Sequence, residues 1–343
     1  MGLNKRLIDQ VGGAAGVEDP TEHFGVATYA GSSNTQNIST NFEAGLTWFF
    51  HRTTGDDGIV KSDVLGNSGY VGIYYPYANN NNIYANPNPT YIQINSHPFI
   101  NTANENHLMF YWYTGGTNVT NTDGTITSTV QADPVGGIST FKYTGNGTSG
   151  STIGHGLGDA PAVVFVKNAS DAGINWCVFN HNFGGNGFLQ FDRDVNLASS
   201  GAMWGGTSPN GSVITLGDNS RTNQSGKNYF GFAFVEKEGF SKFGTYTGNG
   251  TASTSNPIQT TDFQPRFLMI KSTASGSPWY IFDSVRSTSN PRNRFMTTHN
   301  RSAEGVGSLS TDYVYFESTG FRVTTDAPAM NTNGQTYSYY AFA

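Results

Sequence analysis

Short apolar runs, separated by turn residues and spaced by about ten residues, follow one another along the last third of the chain. They are Phe267 to Ile270, Trp279 to Phe282, Tyr313 to Phe316, Phe321 to Val323 and Tyr337 to Phe342. Side chains of a strand alternate between its faces, and the last run has Tyr337 and Tyr339 on one face and Ser338 on the other. The pattern predicts antiparallel strands of a sandwich or barrel and excludes helix-rich classes.

The same pattern occurs twice in the last two thirds of the chain. The motif Tyr143-Thr144-Gly145-Asn146-Gly147-Thr148 returns 103 residues later as Tyr246-Thr247-Gly248-Asn249-Gly250-Thr251. The apolar run that begins at Val163 returns at Phe267, and Trp176 stands 103 residues before Trp279. Self-similarity over the length of a domain indicates a repeat architecture.

A fainter copy precedes these two, which predicts three copies in all. It begins at Phe24, and it has Phe50 where the other copies have lysine and Gly58 where they have tryptophan. It also carries an insertion rich in asparagine and proline from Asn79 to Pro89. The first copy is therefore the divergent member.

These boundaries predict five segments. They are an N-terminal anchor over residues 1–23, a divergent first sandwich over 24–117, a polar connector over 118–137, a second sandwich over 138–238 and a third over 239–343. The anchor belongs to no repeat, and a short terminus of this kind becomes ordered only on a partner. Its apolar side chains are therefore the predicted partner-binding residues: Leu3, Leu7, Ile8 and Val11.

Composition and charge narrow the function. Apolar residues make up 36% and charged residues 12% of a chain with 43 glycines, which favours turns and aromatic strands. The net charge of −6 offers no basic footprint for nucleic acid. No apolar run approaches the roughly 20 residues that span a bilayer, and the first residues lack the apolar centre of a secretory signal. We therefore expect synthesis in the cytoplasm and no membrane insertion. Cys177, the single cysteine, is expected to be a small buried hydrophobe.

Candidate catalytic and metal-binding residues are few. Asp192 and Asp194 could pair as acid and base or bind calcium, but a solvated strand face around Arg193 is the favoured interpretation, because the third copy has no such pair. The seven histidines show no metal-ligand spacing, and His155 between two glycines predicts a turn in which the imidazole caps backbone groups. The Gly-Asn-Gly motifs lack the helix and lysine of a phosphate loop and predict tight turns. We expect no catalytic residue, metal or cofactor.

Aromatic side chains supply the candidate binding surface. Trp176 and Trp279 could stack on sugar rings, but each lies inside an apolar run, which favours core packing. The better candidates lie in or beside the insertion of the first copy, because loops on a rigid scaffold are where recognition resides. They are Tyr70, Tyr74, Tyr75, Tyr77, Tyr84 and Tyr91. A host glycan or a neighbouring subunit is the expected partner.

Two longer stretches resemble a known family. They are Phe240-Ser-Lys-Phe-Gly-Thr-Tyr-Thr-Gly-Asn-Gly-Thr251, and Thr152-Ile-Gly-His-Gly-Leu-Gly158 leading into Ala160-Pro-Ala-Val-Val-Phe-Val-Lys-Asn168. With them the chain resembles, over essentially its whole length, three-repeat virion structural proteins of marine bacteriophages and cyanophages, which are often described as tail-fibre-like. The resemblance implies an all-β fold of three tandem antiparallel sandwiches of jelly-roll or concanavalin-like type.

The same resemblance implies a function. It predicts a non-enzymatic structural component of a phage virion, such as a tail fibre or a baseplate or neck appendage, attached through its N-terminus. The alternatives are a capsid decoration protein and a protein that recognises a host glycan. A glycan-degrading enzyme would need two convergent carboxylates, which the sequence does not suggest. The expected partners are other virion proteins and a host surface glycan, and the expected location is the virion, as a homo-oligomer or in many copies.

Overall fold

The structure is a computed structural model that describes residue 17 and residues 19–55, 57–66, 69–74, 85–274, 276–299, 301–307 and 313–343. The predicted partner-binding residues Leu3, Leu7, Ile8 and Val11 lie outside the described residues. Within the described residues the fold is all-β, with several antiparallel sheets and only single-turn helices. None of these helices is long and apolar enough to cross a membrane.

The strands fall into three consecutive groups. The first group is β1 (Phe24–Ala30), β2 (Gln36–Ser39), β3 (Leu46–His51), β4 (Ile59–Ser62), β5 (Tyr70–Gly72), β6 (Ala85–Asn88), β7 (Tyr91–Ile94) and β8 (Asn106–Trp112). The second is β9 (Val119–Asn121), β10 (Ser128–Asp133), β11 (Ile138–Thr144), β12 (Thr152–Gly154), β13 (Val163–Asn168), β14 (Cys177–Asn180), β15 (Gly187–Phe188), β16 (Ala198–Ser199), β17 (Val213–Thr215) and β18 (Asn228–Phe234). The third is β19 (Ser241–Thr247), β20 (Gln259–Thr260), β21 (Phe267–Ser272), β22 (Tyr280–Asp283), β23 (Arg294–Thr297), β24 (Gly305–Val306), β25 (Val314–Glu317), β26 (Gly320–Val323) and β27 (Thr336–Phe342).

Helical turns interrupt these groups. The α-helical turns are α1 (Pro98–Asn101), α2 (Gly201–Trp204) and α3 (Pro328–Asn331), and 3-10 turns cover Pro20–Glu22, Asp63–Leu65 and His181–Phe183.

Three main sheets share one strand order. The first sheet runs β1-β8-β3-β4-β5, the second β11-β18-β13-β14 and the third β19-β27-β21-β22-β23, so β1, β11 and β19 each pair with the last strand of their group. The second sheet continues beyond β11 into β10 and β9, and the third beyond β23 into β24. The registers are equivalent too, since Trp112, Phe234 and Phe342 each lie opposite the first residue of the third strand in this order.

The residues that distinguish the first copy from the other two also occupy equivalent register positions. Phe50 in β3 occupies the position that Lys167 has in β13 and Lys271 in β21. On the neighbouring strand, Gly58 faces Phe50 where the other two sheets have a tryptophan. The divergence of the first copy is therefore a difference of side chains on an equivalent backbone.

Both faces of each main sheet are buried. Leu46, Trp48 and Phe50 alternate along β3 and face a core that all three main sheets share, whereas Phe49 faces a separate apolar cluster beneath the small sheet β2-β7-β6. The second main sheet is covered by β12-β17 and β15-β16, and the third by β20-β26-β25. Burial on both faces explains why these strands carry nearly continuous apolar runs.

Aromatic rings from all three main sheets meet in the shared core. The ring centroids of Trp112 and Phe234 are 5.9 Å apart, those of Trp112 and Phe342 5.7 Å, and those of Phe234 and Phe342 5.2 Å. These residues occupy the equivalent position of the three sheets, so each sheet contacts both others. Each group also has an apolar cluster of its own, so the shared core adds to the three separate ones.

Part of the predicted polar connector is strand. β9 and β10 widen the second sheet, and Asp133 at the end of β10 forms a buried hydrogen bond with His23, with 2.5 Å between Nδ1 and Oδ2. The segment therefore joins the beginning of the first sheet to the edge of the second.

Candidate functional site

A buried asparagine holds each Gly-Asn-Gly motif. Asn223 accepts a hydrogen bond from the backbone N–H of Asn146 at 2.9 Å, and its Nδ2 donates to the carbonyls of Thr148 and Gly217 at 3.0 and 2.9 Å. Gly147 has a φ of 74°, a conformation that favours glycine. The bonds satisfy polar groups that burial would otherwise leave without partners.

The other two main sheets contain the same arrangement. Asn331 accepts from the N–H of Asn249 at 2.9 Å and donates to the carbonyl of Thr251 at 3.0 Å, and Asn101 accepts from the N–H of Ser32 at 2.8 Å. The prediction that the motifs are tight turns is wrong. Each motif is an irregular segment after the first strand of its repeat, and the N–H groups of Gly147 and Gly250 donate to the backbone carbonyls of Asn223 and Asn331, both at 2.8 Å.

Each main sheet has a pair of stacked rings at the same register position, between its first two strands. The pairs are Tyr29 with His107 at 5.2 Å, Tyr143 with Tyr229 at 5.1 Å and Tyr246 with Tyr337 at 5.1 Å. The fully buried ring of His107 makes no hydrogen bond of good geometry. Burial first, and then the nearby ring of His51, lower the pKa of His107 to about 4, and the carbonyl of Thr102 offsets only part of this. This histidine distinguishes the first sheet.

The two tryptophans at equivalent positions are core residues, as predicted. Trp176 and Trp279 are fully buried. The Nε1 of Trp176 donates to the carbonyl of Gly72 in the first sheet, and that of Trp279 donates to the carbonyl of Gln190 beside the second, both at 2.9 Å. The rings therefore join neighbouring sheets, and neither is accessible to a sugar.

An ion-pair network joins the first sheet to the third. Arg52 binds both oxygens of Glu304 at 3.0 Å, and its carbonyl accepts the N–H of Glu304 at 2.9 Å. Arg286 and Arg294 contact the same carboxylate at 3.2 and 2.8 Å. Burial raises the pKa of Glu304, but the hydrogen bonds and charges of the arginines outweigh it and keep this pKa below its usual value. This carboxylate is structural.

The two candidate aspartates differ in environment. Asp194 is exposed, but Asp192 is almost fully buried and accepts hydrogen bonds from the N–H of Trp176 at 3.2 Å and Nδ2 of Asn175 at 3.0 Å. Burial raises the pKa of Asp192. A solvated strand face is therefore wrong for Asp192, which lies in a turn and orders the backbone beside the tryptophan. No acid and base pair faces a common cleft here.

Two buried lysines occupy one equivalent position. Lys167 donates to the carbonyl of Ile174, and Lys271 to that of Ser277, so each closes the loop that follows its strand. Burial lowers the pKa of both side chains to about 8. Cys177 is also buried as expected, and burial raises the pKa of its thiol far above the ordinary value, which makes it unreactive.

The structure places only some of the candidate tyrosines. Tyr75, Tyr77 and Tyr84 lie outside the described residues. Tyr70 is wrong as a surface candidate, because only 5% of it is exposed and its ring belongs to the cluster beneath the first sheet. Tyr74 and Tyr91 are half-buried, the former after β5 and the latter in the small sheet opposite Ser39.

The next candidates are the histidines and the possible metal ligands. His155 binds the carbonyl of Asn210 at 3.0 Å and accepts the N–H of Leu157 at 3.3 Å, so the predicted capping role is confirmed. Over the part of the chain that the structure describes, no group of three or more histidine, cysteine and acidic side chains could hold a metal ion.

Two open grooves mark the surface. One, of about 440 Å³, is lined by Asp159 and Glu236, but Lys237 and Lys242 pair with these carboxylates. The other, of about 420 Å³, lies against β9, β10 and β11, the strands that widen the second sheet. Sequence analysis missed it, because nothing in the polar segment over 118–137 signals that two strands pair there.

One protein family matches residues 19–343, and its description is Domain of unknown function (DUF7483). The chain belongs to this family. No curated protein matches the chain. The DUF7483 match spans all three main sheets as one unit, which agrees with their common core.

Proposed function

We propose that this protein is a non-enzymatic structural component of a bacteriophage virion, a tail fibre or a baseplate or neck appendage. In this proposal residues 1–23 attach it to other virion proteins, and it is present in many copies or as a homo-oligomer. The sequence resemblance to virion structural proteins is the source of the phage assignment.

The observation that carries the structural role is the closure of three main sheets around one aromatic core. The polar groups that recur in all three sheets, such as Asn101, Asn223 and Asn331, are used to hold loops. A body whose repeated polar chemistry is internal suits mechanical rigidity. An enzyme would be expected to direct such groups into a cleft.

The proposal includes a finer description of the fold. Each main sheet and its small outer sheets would form one sandwich of jelly-roll or concanavalin-like type, over residues 24–117, 138–238 and 239–343. The apolar cluster between the two layers of each group supports this division.

A second candidate is a capsid decoration protein or one that recognises a host glycan. The partial exposure of Tyr74 and Tyr91 favours it, because half-buried tyrosines offer rigid contact area at low entropic cost.

The attachment is tested on purified particles from the host culture. Particles are probed with antiserum against the protein, once with the intact chain and once with a chain lacking residues 1–23. A matched control replaces residues 79–90 by a short Gly-Ser turn and keeps the terminus. We expect full incorporation of the control and loss of the truncated chain. Particles that lack the intact protein would refute the virion role, and full incorporation of the truncated chain would refute the anchor.

A further inference from the structure

The groove beside β9, β10 and β11 has a floor of polar side chains. Thr120, Thr129 and Lys142 lie opposite one another on the three neighbouring strands and point to the same face. The continued register adds a second row, in which Thr127 precedes β10 and Thr144 lies opposite Asn228. Neighbouring strands are about 4.8 Å apart, so each row is about 10 Å wide.

The floor offers hydrogen-bonding groups that the protein does not use. Over the described residues, the hydroxyls of Thr120, Thr127 and Thr129 and the ammonium of Lys142 make no hydrogen bond or ion pair, although all of these residues line the groove. This contrasts with the groove near Glu236, whose carboxylates are paired with lysines. Unpaired donors and acceptors on a rigid sheet are preorganised for a ligand.

The side chains at the walls of the groove and its charge indicate which class of ligand it could bind. Leu65 from the first group of strands and Ala169 after β13 supply apolar atoms, and no carboxylate lines the groove. Lys142 is the one charged side chain among the lining residues, so the groove favours an anion. A volume of about 420 Å³ lies within the range of small-ligand sites.

We propose that this groove binds an acidic saccharide, a sugar chain that bears carboxylate groups. The carboxylate of one sugar would accept a charge-assisted hydrogen bond from Lys142. The threonine hydroxyls, which both donate and accept, would bind the ring hydroxyls, and Leu65 would contact the apolar C–H face. This inference goes beyond the proposed virion role and does not depend on it.

The test uses the isolated full-length protein and isothermal titration calorimetry. The probes are trigalacturonate and, as a neutral saccharide of the same length, maltotriose. We expect trigalacturonate to bind with a dissociation constant of about 1 mM or lower at low salt, and maltotriose at least about fivefold more weakly. Lys142→Gln should weaken trigalacturonate binding about tenfold, and Thr129→Val about threefold.

Matched variants separate the site from general charge and folding effects. Lys242→Gln removes one lysine elsewhere on the surface and should leave the affinity unchanged, as should Thr245→Ala at the position of Lys142 in the third sheet. Thermal unfolding of Lys142→Gln should match that of the wild type, since this residue is exposed.

Three outcomes would overturn the proposal. The first is no binding of trigalacturonate at about 10 mM, ten times the expected dissociation constant, and the second is equal affinity of the wild type and Lys142→Gln for trigalacturonate. The third is displacement of trigalacturonate by inorganic sulfate at the same concentration, which would indicate a simple anion site. None of these results concerns attachment to particles, so they leave the virion role to its own test.

Discussion

The first main sheet and the other two join their neighbours by different chemistry at equivalent positions. In the second and third sheets, Trp176 and Trp279 bury a large ring and donate one N–H to a carbonyl of the preceding group. The first sheet has Gly58 at that position, and Arg52, which follows β3, forms an ion pair with Glu304 of the third group. Trp176 and Trp279 each therefore add a buried ring and a neutral hydrogen bond to a junction. Arg52 and Glu304 instead add charges to the junction of the first and third sheets, beside aromatic contacts such as that of Phe24 with Phe342.

The comparison shows how a closed arrangement tolerates divergence. The aromatic contacts among Trp112, Phe234 and Phe342 fix the relative positions of the sheets, so one junction can exchange a ring for charges without altering the others. The two kinds of junction should respond differently to substitution and to pH.

Trp279→Ala should reduce the free energy of unfolding by about 3 to 5 kcal/mol, and Trp176→Ala by a similar amount, because each change leaves a cavity in a close-packed core. Urea unfolding followed by far-UV circular dichroism measures the loss. Val119→Ala, at a side chain that is 58% exposed, is the control and should change stability by less than about 0.5 kcal/mol. A loss below about 1 kcal/mol for either tryptophan would contradict the apolar character of these junctions.

Glu304→Ala should cost about 3 kcal/mol, since it leaves the buried guanidinium of Arg286 without this partner and removes the contact with Arg52. The matched control is Glu317→Ala, which breaks a more exposed pair with Arg322 and should cost less than about 1 kcal/mol. Chemical denaturation of the two variants in parallel measures both losses of unfolding free energy. Equal losses would mean that the ionic junction adds nothing beyond an ordinary surface pair.

Acidification should destabilise the protein through the first sheet. The folded-state pKa of His107 is about 4, below the usual 6.5, so the unfolded chain binds its proton first as the pH falls. The contribution of His107 to the free energy of unfolding is complete above about pH 6.5 and is lost as the pH falls towards 4. About 2 kcal/mol of it is lost between pH 7 and pH 5.

His107→Phe and His107→Tyr, which restore a ring like those of the other sheets, should flatten this part of the profile of unfolding free energy against pH. His181→Gln, at an exposed histidine, is the control and should keep the wild-type slope. If the His107 variants also keep the wild-type slope, this histidine does not carry the acid sensitivity.

The sequence predicted the strands and the equivalence of the copies, because runs such as Val163 to Lys167 keep their spacing when they recur. It could not predict the common core. Apolar residues on both faces of β3 indicate burial, but they do not say whether the partner is the small outer sheet or another main sheet. Long-range packing also determines the environment of Asp192, because no local sequence pattern reveals that this side chain is buried. The groove beside β10 was hidden for the same reason, since register places Thr129 next to Lys142 only after the strands pair.

The smallest effect concerns the buried asparagine that recurs in all three sheets. Asn331→Ala should cost about 1 to 2 kcal/mol, because the backbone groups of Asn249 and Thr251 lose a buried partner. Asn101→Ala should cost about as much, since its carbonyl oxygen binds Ser32 in the same way although the first sheet has no Gly-Asn-Gly motif. Thermal unfolding of both variants beside Asn333→Ala, an exposed asparagine in the same turn region, measures the difference. A loss confined to Asn331→Ala would show that the first sheet has diverged in the loop that its asparagine binds as well as in its junction.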